Sequence, residues 1–572
     1  MRRIAICIPV ARLAYPLAMS EILPLVDDRC VVLDTCFGTG EAFLRQCQSS
    51  TRPLHYLAFL ARPVTADELA GQSPALRSAW PDHVAGFHRL LLDEGRISLT
   101  LMIGDLANCL SQCVAQVDAF LVDPLAAGTV ARRLARLAAP QASLHLSAAS
   151  PVAALEQAGF LFSSPLQACY QPRRPVGKAV ATGRRHAIVL GAGLAGAAIC
   201  ERLAARGWRL TLLERHADVA QEASGNLAGI VMPVLSQDDN LASRLSRAAY
   251  LFAVRRWSAL AQPLFDGERC GVLQLARDAE HAAAQQRIAL RWQYPARYAR
   301  WLDSAEAGAL LNCETPQGGW LFAQGGWAHP AGVCRALLAA CGEQLTVRYQ
   351  QAVTRLQRVG DDWQLLDADG VVLAQAPTVI FANGNGATGF AQLAGLPLQA
   401  VRGQVTHVSA PASSAPALVV CREGYLTPPV QGVRCAGATY DQDDALALRW
   451  SSQHDNLQRV QAMLPGLWPD TSGFALAGRV GFRCVAPDRL PLVGALPVTT
   501  ASSRAERLRD VPRWPGLHGL LGYASRGLIW APLAAELLAA QLEGEPLPLE
   551  SDLADALDPA RFRLKALRQS SG

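Results

Sequence analysis

The chain is almost without lysine: Lys178 and Lys565 are the two it carries in 572 residues, so nearly all of its 53 cationic side chains are arginine. Arginine's planar, permanently charged fork suits phosphate and carboxylate groups. A net charge of +5 over this length permits a nucleic-acid partner without demanding one. No run of about eighteen apolar residues escapes interruption by Arg, Glu, Asp or Pro, so no membrane-spanning helix is expected. The fifteen cysteines never take CxxC spacing. Neither a zinc site nor a disulfide framework is therefore expected, and reduced thiols fit a cytoplasmic protein. After Met1-Arg2-Arg3, the residues Pro9, Arg12 and Pro16 break the apolar stretch that a secretion signal needs. Charged residues are scarce at 18% against 51% hydrophobic, which excludes wholesale disorder. At roughly 100–200 residues per domain the length allows two to three or more domain-sized units.

Two strand–glycine-turn–helix signals divide the sequence. The first is Val31 to Gly40, with the turn Asp34-Thr35-Cys36-Phe37-Gly38-Thr39-Gly40. The second is His186 to Gly196, with Gly191-x-Gly193-x-x-Gly196 followed by an Ala-rich helical stretch. Between them Gln171-Pro172-Arg173-Arg174-Pro175-Val176-Gly177-Lys178 reads as a linker, which separates residues 1–175 from 176–572. In the first segment 55–59, 97–102 and 117–122 read as strands alternating with helices, so a parallel, doubly wound α/β sheet is expected. The second segment opens in the same way and then carries many short strand candidates between 345 and 440. That pattern predicts a nucleotide-binding Rossmann layer with an inserted, mostly antiparallel substrate domain.

Gly191, Gly193 and Gly196 allow a tight turn and a close approach of a pyrophosphate to a helix N-terminus. Glu214 ends the next strand, Trp208–Leu213, eighteen residues beyond Gly196, where a carboxylate would accept hydrogen bonds from ribose hydroxyls. These residues do not choose between NAD and FAD.

More distant segments do. Glu222-Ala223-Ser224-Gly225-Asn226, Val401-Arg402-Gly403-Gln404, Gly481-Phe482-Arg483 and Gly522-Tyr523-Ala524-Ser525-Arg526-Gly527-Leu528 resemble the landmarks of the D-amino-acid-oxidase-like flavoproteins. With Gln324-Gly325-Gly326-Trp327, Glu423-Gly424-Tyr425-Leu426-Thr427-Pro428, Gly437-Ala438-Thr439-Tyr440-Asp441 and Gly544-Glu545-Pro546-Leu547-Pro548-Leu549, they are similar to the MnmC family. Members of that family complete the methylaminomethyl group on the wobble uridine of certain tRNAs. The resemblance implies FAD held by Ser224, Gly225, Arg402, Gly522, Ser525, Arg526, Gly527 and Leu528 beside the three fingerprint glycines and Glu214. It also implies a substrate carboxylate held by Arg483, with Tyr425 beside it. The activity implied is oxidative removal of a carboxymethyl group from 5-carboxymethylaminomethyluridine in the anticodon region of tRNA, with no metal. A flavin oxidase of free amino acids or secondary amines, whose first half is only a tRNA-binding or packing domain, remains compatible with the flavin motifs.

By the same resemblance the first half is a methyltransferase fold. Gly38 and Gly40 belong to the turn that cradles S-adenosylmethionine, Asp105 stands on its adenine side, and Asp123 is the active-site aspartate. Three departures point to impaired catalysis. No acid follows the second strand, where His55–Phe59 runs into Leu60-Ala61-Arg62-Pro63. The long loop after the fourth strand shrinks to Asp123-Pro124-Leu125-Ala126-Ala127-Gly128. The leading segment of the family is largely absent or replaced by residues 1–28.

Overall fold

Strands such as Val31-Val32-Leu33 are apolar on both faces, as strands covered by helices on both sides must be. The computed structural model describes residues 29–569, other than 70, 72, 150, 173–183, 261–266, 316, 410–415, 469, 472 and 500–504. The opening residues 1–28 and most of the linker lie outside the described residues. Two compact units are formed. The first is Met1–Val180 with Gly544–Ser551, and the second is Ala181–Glu543 with Asp552–Gly572. A division at 175 and 176 therefore misses a short return of the chain into the first unit. None of the helices among the described residues is long and apolar enough to cross a membrane.

The first unit is built on an eight-stranded sheet. In spatial order its strands are Gly86–Leu92, Ile97–Ile103, Leu54–Phe59, Cys30–Asp34, Val117–Val122, Ala138–Leu146, Gln167–Tyr170 and Phe160–Ser164. The five from Ile97–Ile103 to Ala138–Leu146 run parallel, and the outer strands join through antiparallel pairings. The strand order reverses between Cys30–Asp34 and Val117–Val122, the switch point at which such sheets bind ligands. Asp34 and Asp123 stand at this crevice.

The return segment Gly544–Ser551 docks by hydrogen bonds. The amide of Leu547 donates to the carbonyl of Val114 at 3.0 Å, and Arg29 donates to the carbonyl of Gly544 at 2.8 Å. Arg89 is fully buried. It donates to Thr100 Oγ1 and to the carbonyl of Pro546, both at 2.7 Å. A buried guanidinium without such acceptors would be costly.

The second unit begins with a six-stranded sheet in the order Leu345–Arg348, Arg209–Leu213, His186–Leu190, Thr378–Phe381, Arg513–Leu521 and Leu492–Pro497. The first five are parallel, and the last is antiparallel. Helix Leu194–Ala204 packs against the long apolar helix Gly527–Glu543. The substrate sheet has eight strands: Arg300–Leu302, Gly319–Phe322, Val272–Leu275, Val419–Cys421, Tyr425–Leu426, Arg434–Gly437, Gln399–Val408 and Leu476–Val485. Its pairings are antiparallel except between Val272–Leu275 and Val419–Cys421. It is assembled from two separate stretches of chain. The strands from 345 to 381 belong instead to the nucleotide-binding side.

Candidate active site

In the second unit a cavity of about 560 Å³ opens beyond the C-terminal ends of strands His186–Leu190, Arg209–Leu213 and Thr378–Phe381. That volume is in the range of cofactor pockets. Its wall includes Gly191, Gly193, Glu214, Ser224, Tyr425, Arg483, Gly522, Ser525, Arg526, Gly527 and Leu528, so eleven sequence-selected residues meet in one place.

The nucleotide end is built from backbone. Gly191 has φ +98°, and a Cβ there would lie 2.9 Å from the carbonyl of Ala382. Gly193 precedes helix Leu194–Ala204 without capping it by a side chain, and the Leu194 amide meets Ser224 Oγ at 3.2 Å. A helix start facing a cavity, with no cap from the residue before it, suits a pyrophosphate. Glu214 is held in place by the amides of Ala192 and His216, at 2.8 and 2.9 Å. On the same wall Asn383 Oδ1 and Tyr523 Oη are buried without a hydrogen-bond partner, which points to a polar ligand. These residues fit FAD.

Three selected residues do other work. A Cβ on Gly196 would meet the carbonyl oxygen of Gly191 at 1.8 Å, so this glycine seats the helix on the turn. A Cβ on Gly225 would meet the guanidinium of Arg479 at 2.3 Å. Arg402 lies off the cavity wall. It is fully buried and donates to Asp441 Oδ2 (2.8 Å), Gln404 Oε1 (3.1 Å) and the carbonyls of Ala445 (2.8 Å) and Ala447 (2.7 Å). It pins the 441–447 loop rather than touching a cofactor.

The substrate end centres on Arg483, on strand Leu476–Val485. Its Nη1 donates to the carbonyls of Arg402 (3.2 Å) and Thr439 (3.0 Å), and its guanidinium lies 3.9 Å from the ring centroid of Tyr440. Gly403 makes room for it: a Cβ there would sit 2.3–2.5 Å from the guanidinium. The remaining donors are in the right chemistry for a carboxylate fork. Burial pushes the Tyr425 phenol far above its ordinary pKa, so it stands as a neutral hydrogen-bonding group. No histidine or lysine is among the residues described on this wall.

In the first unit Gly38 and Gly40 take left-handed backbone, φ +59° and +89°. The Asp105 carboxylate caps helix Leu106–Gln112 through the Asn108 amide at 2.8 Å. Where the ribose acid is expected, Leu60 is buried with Val64 and Leu69. Helix Pro124–Leu137 begins directly after Asp123, leaving no loop to close over a substrate. The Leu60 side chain offers no acceptor to a ribose hydroxyl at that position.

Asp34, at the same crevice, accepts hydrogen bonds from Tyr56 Oη (2.7 Å) and the Cys36 amide (2.8 Å), yet burial raises its pKa to about 6. A carboxyl whose folded pKa is raised favours the folded state fully below its unfolded pKa, and that contribution is lost as pH rises through 6. Asp34→Asn should therefore flatten the stability of the full chain between about pH 4 and 6, with a relative gain at pH 7.5 on the order of 1–3 kcal/mol. Denaturant titrations at pH 4.5 and 7.5 read this out, and an unchanged pH dependence would count against it.

Sequence reasoning missed Asn383, Tyr440 and Arg479. Asn383 carried a signal, since it follows strand Thr378–Phe381 and opens Asn383-Gly384-Asn385-Gly386, a strand-to-turn pattern like the other two.

Comparison with known proteins places the chain among two overlapping groups. Residues 186–541 match the family of FAD-dependent oxidoreductases. Over 95% of its length the chain is 43% identical to the tRNA 5-methylaminomethyl-2-thiouridine biosynthesis bifunctional protein MnmC of Azoarcus sp. (strain BH72), covering 92% of that protein. It is 42% identical to the protein of the same name from Burkholderia thailandensis, over 94% of this chain and 90% of the other. Among solved structures, glycine oxidase from Geobacillus kaustophilus superposes with a TM-score of 0.53 at 21% identity, over 66% of this chain and 98% of its own. Iminodiacetate oxidase from Chelativorans sp. BNC1 gives 0.51 at 23%, over 63% and 96%. These two likenesses speak for the fold alone.

Proposed function

The chain belongs to the MnmC family of bifunctional tRNA-modification proteins and to the FAD-dependent oxidoreductases, and from that premise we propose how its two units divide the work. The second unit oxidises the 5-carboxymethylaminomethyl side chain of the wobble uridine, in the anticodon region of tRNA and in the cytoplasm. FAD, held along Gly191, Gly193, Glu214 and the 522–528 turn, would supply a hydride acceptor for the carbon between the secondary amine and the carboxylate. Water then cleaves the resulting imine to the primary amine and glyoxylate. The chain's own residues orient the substrate: Arg483 holds the carboxylate, Tyr425 contacts it, and Arg526 stands on the flavin side. No histidine or lysine is among the residues described on the wall, and provided the amine arrives neutral, placement supplies the rate. The observation that carries this reading is the Arg483 fork, seated over Gly403 on the cavity wall.

The first unit keeps the methyltransferase fold with impaired methylation. Leu60 leaves ribose hydroxyls unpaired at about 1–3 kcal/mol each, and among the described residues the chain enters helix Pro124–Leu137 directly after Asp123 instead of forming a closing loop. Nucleoside analysis of the wobble position tests both halves. Cells lacking this chain should accumulate the carboxymethylaminomethyl form, and re-supplying the chain should convert it mainly to the aminomethyl form. No accumulation would refute the oxidative role. Full conversion to methylaminomethyluridine would refute the impairment.

A further inference from the structure

Twelve large hydrophobic side chains are exposed among the described residues, and four of them fall within eleven residues: Tyr440 (65%), Leu446 (80%), Leu448 (49%) and Trp450 (74%). Scattered singly, such residues need no explanation, whereas clustered ones mark a binding surface. This cluster is held rigidly. Arg402 bonds the carbonyls of Ala445 and Ala447 from beneath. Gln404 bonds both the amide and the carbonyl of Arg449, at 2.9 Å each. Asp441 is paired with Arg402, and Asp443 with Arg449 through two contacts of 2.8 Å, so Asp444 is the carboxylate left outside these pairs. The ridge begins at the cavity mouth: Tyr440 lines the cavity, covers Arg483 and reaches Ser525 Oγ at 3.2 Å.

We propose that the 440–450 ridge is a base-stacking platform for the unpaired anticodon-loop nucleotides that flank the wobble uridine, with Trp450 taking one base beyond the cavity mouth. This rests on the tRNA reading above. A nucleoside that enters the cavity brings its neighbours to the rim at once. Recognition of single-stranded loops relies on aromatic side chains with arginine interleaved, and Tyr440, Arg449 and Trp450 supply that chemistry. Aromatic faces bind bases with little sequence preference, which suits a substrate set defined by one modified base and several contexts.

The test uses the full FAD-loaded chain, as parent, Trp450→Ala and Trp450→Phe. Each is assayed on tRNA from cells lacking this chain and on the free 5-carboxymethylaminomethyluridine nucleoside. Loss of one stacked base should raise KM for tRNA roughly five- to hundredfold in Trp450→Ala. Turnover of the nucleoside should stay unchanged, and Trp450→Phe should recover most of the tRNA affinity. An unchanged KM for tRNA overturns the platform, as does an equal rise for the nucleoside, which would mean an effect through the cavity. A change of oligomeric state in sedimentation also overturns it, by making the ridge a contact between copies. If the parent oxidises the nucleoside but not tRNA, the tRNA reading fails instead, whatever Trp450 does.

Discussion

Arg483→Met should purify as yellow as the parent and yet reduce its flavin slowly with carboxylated substrate. The methionine keeps an unbranched stem but removes the fork, while the nucleotide end of the cavity keeps Gly191, Gly193 and Glu214 in place. Hydrogen bonds to charged groups contribute roughly 1.5–3 kcal/mol, which at 1.4 kcal/mol per decade is a loss of about ten- to a hundredfold in kcat/KM, more if the grip is bidentate. Arg483→Lys keeps the charge without the fork and should fall between the two. Gly403→Ala offers an independent check, since its Cβ would displace the guanidinium by contact and leave every polar group present. Anaerobic flavin reduction measures all three. A methionine variant that reduces its flavin as fast as the parent would remove Arg483 from its anchoring role.

Gly193→Val should give folded, colourless protein. Its Cβ would lie 3.1 Å from Ser224 Oγ, a neighbour able to shift, but the two methyl groups would occupy the ground where a pyrophosphate meets the helix start. Gly196→Val differs in kind. Its Cβ would fall 1.8 Å from a backbone oxygen, so the strand–turn–helix unit itself must distort, at a cost above the roughly 1–3 kcal/mol usual for overpacking. The ratio of flavin to protein absorbance and the circular-dichroism spectrum separate the two: empty but folded at position 193, unfolded or unstable at position 196. A fully yellow Gly193→Val protein would contradict the assignment of this turn.

The glycine turns were legible in the sequence because a strand, a turn and a helix are local. The same holds for the parallel strands of the first unit, whose apolar runs need no partner to be recognised. What stayed hidden depends on facing and pairing. Arg402 and Gly403 are adjacent in sequence, but side chains alternate along a strand. One therefore props a loop while the other makes room for Arg483, and the motif alone could not say which. Strand Gly86–Leu92 carries His88 and Arg89 in buried positions, which breaks the apolar pattern. Nor could the strand candidates after 345 announce which of three sheets they join. Leu345–Arg348 pairs with Arg209–Leu213, and Gln399–Val408 with Leu476–Val485, each more than sixty residues away and in different sheets, although Gln399–Val408 also has the nearer partner Arg434–Gly437.

The docked segment Gly544–Ser551 sets a schedule for biosynthesis. The first unit is the first to leave the ribosome, yet the carbonyl that Arg89 binds belongs to Pro546, roughly 370 residues further along the chain than Val180. At about 5–20 residues per second that segment arrives on the order of 20–75 s later. Until then Arg89 of the nascent unit has Thr100 but not the Pro546 carbonyl, the Val114 carbonyl lacks the Leu547 amide, and the unit stays incomplete until residues 544–551 have been translated.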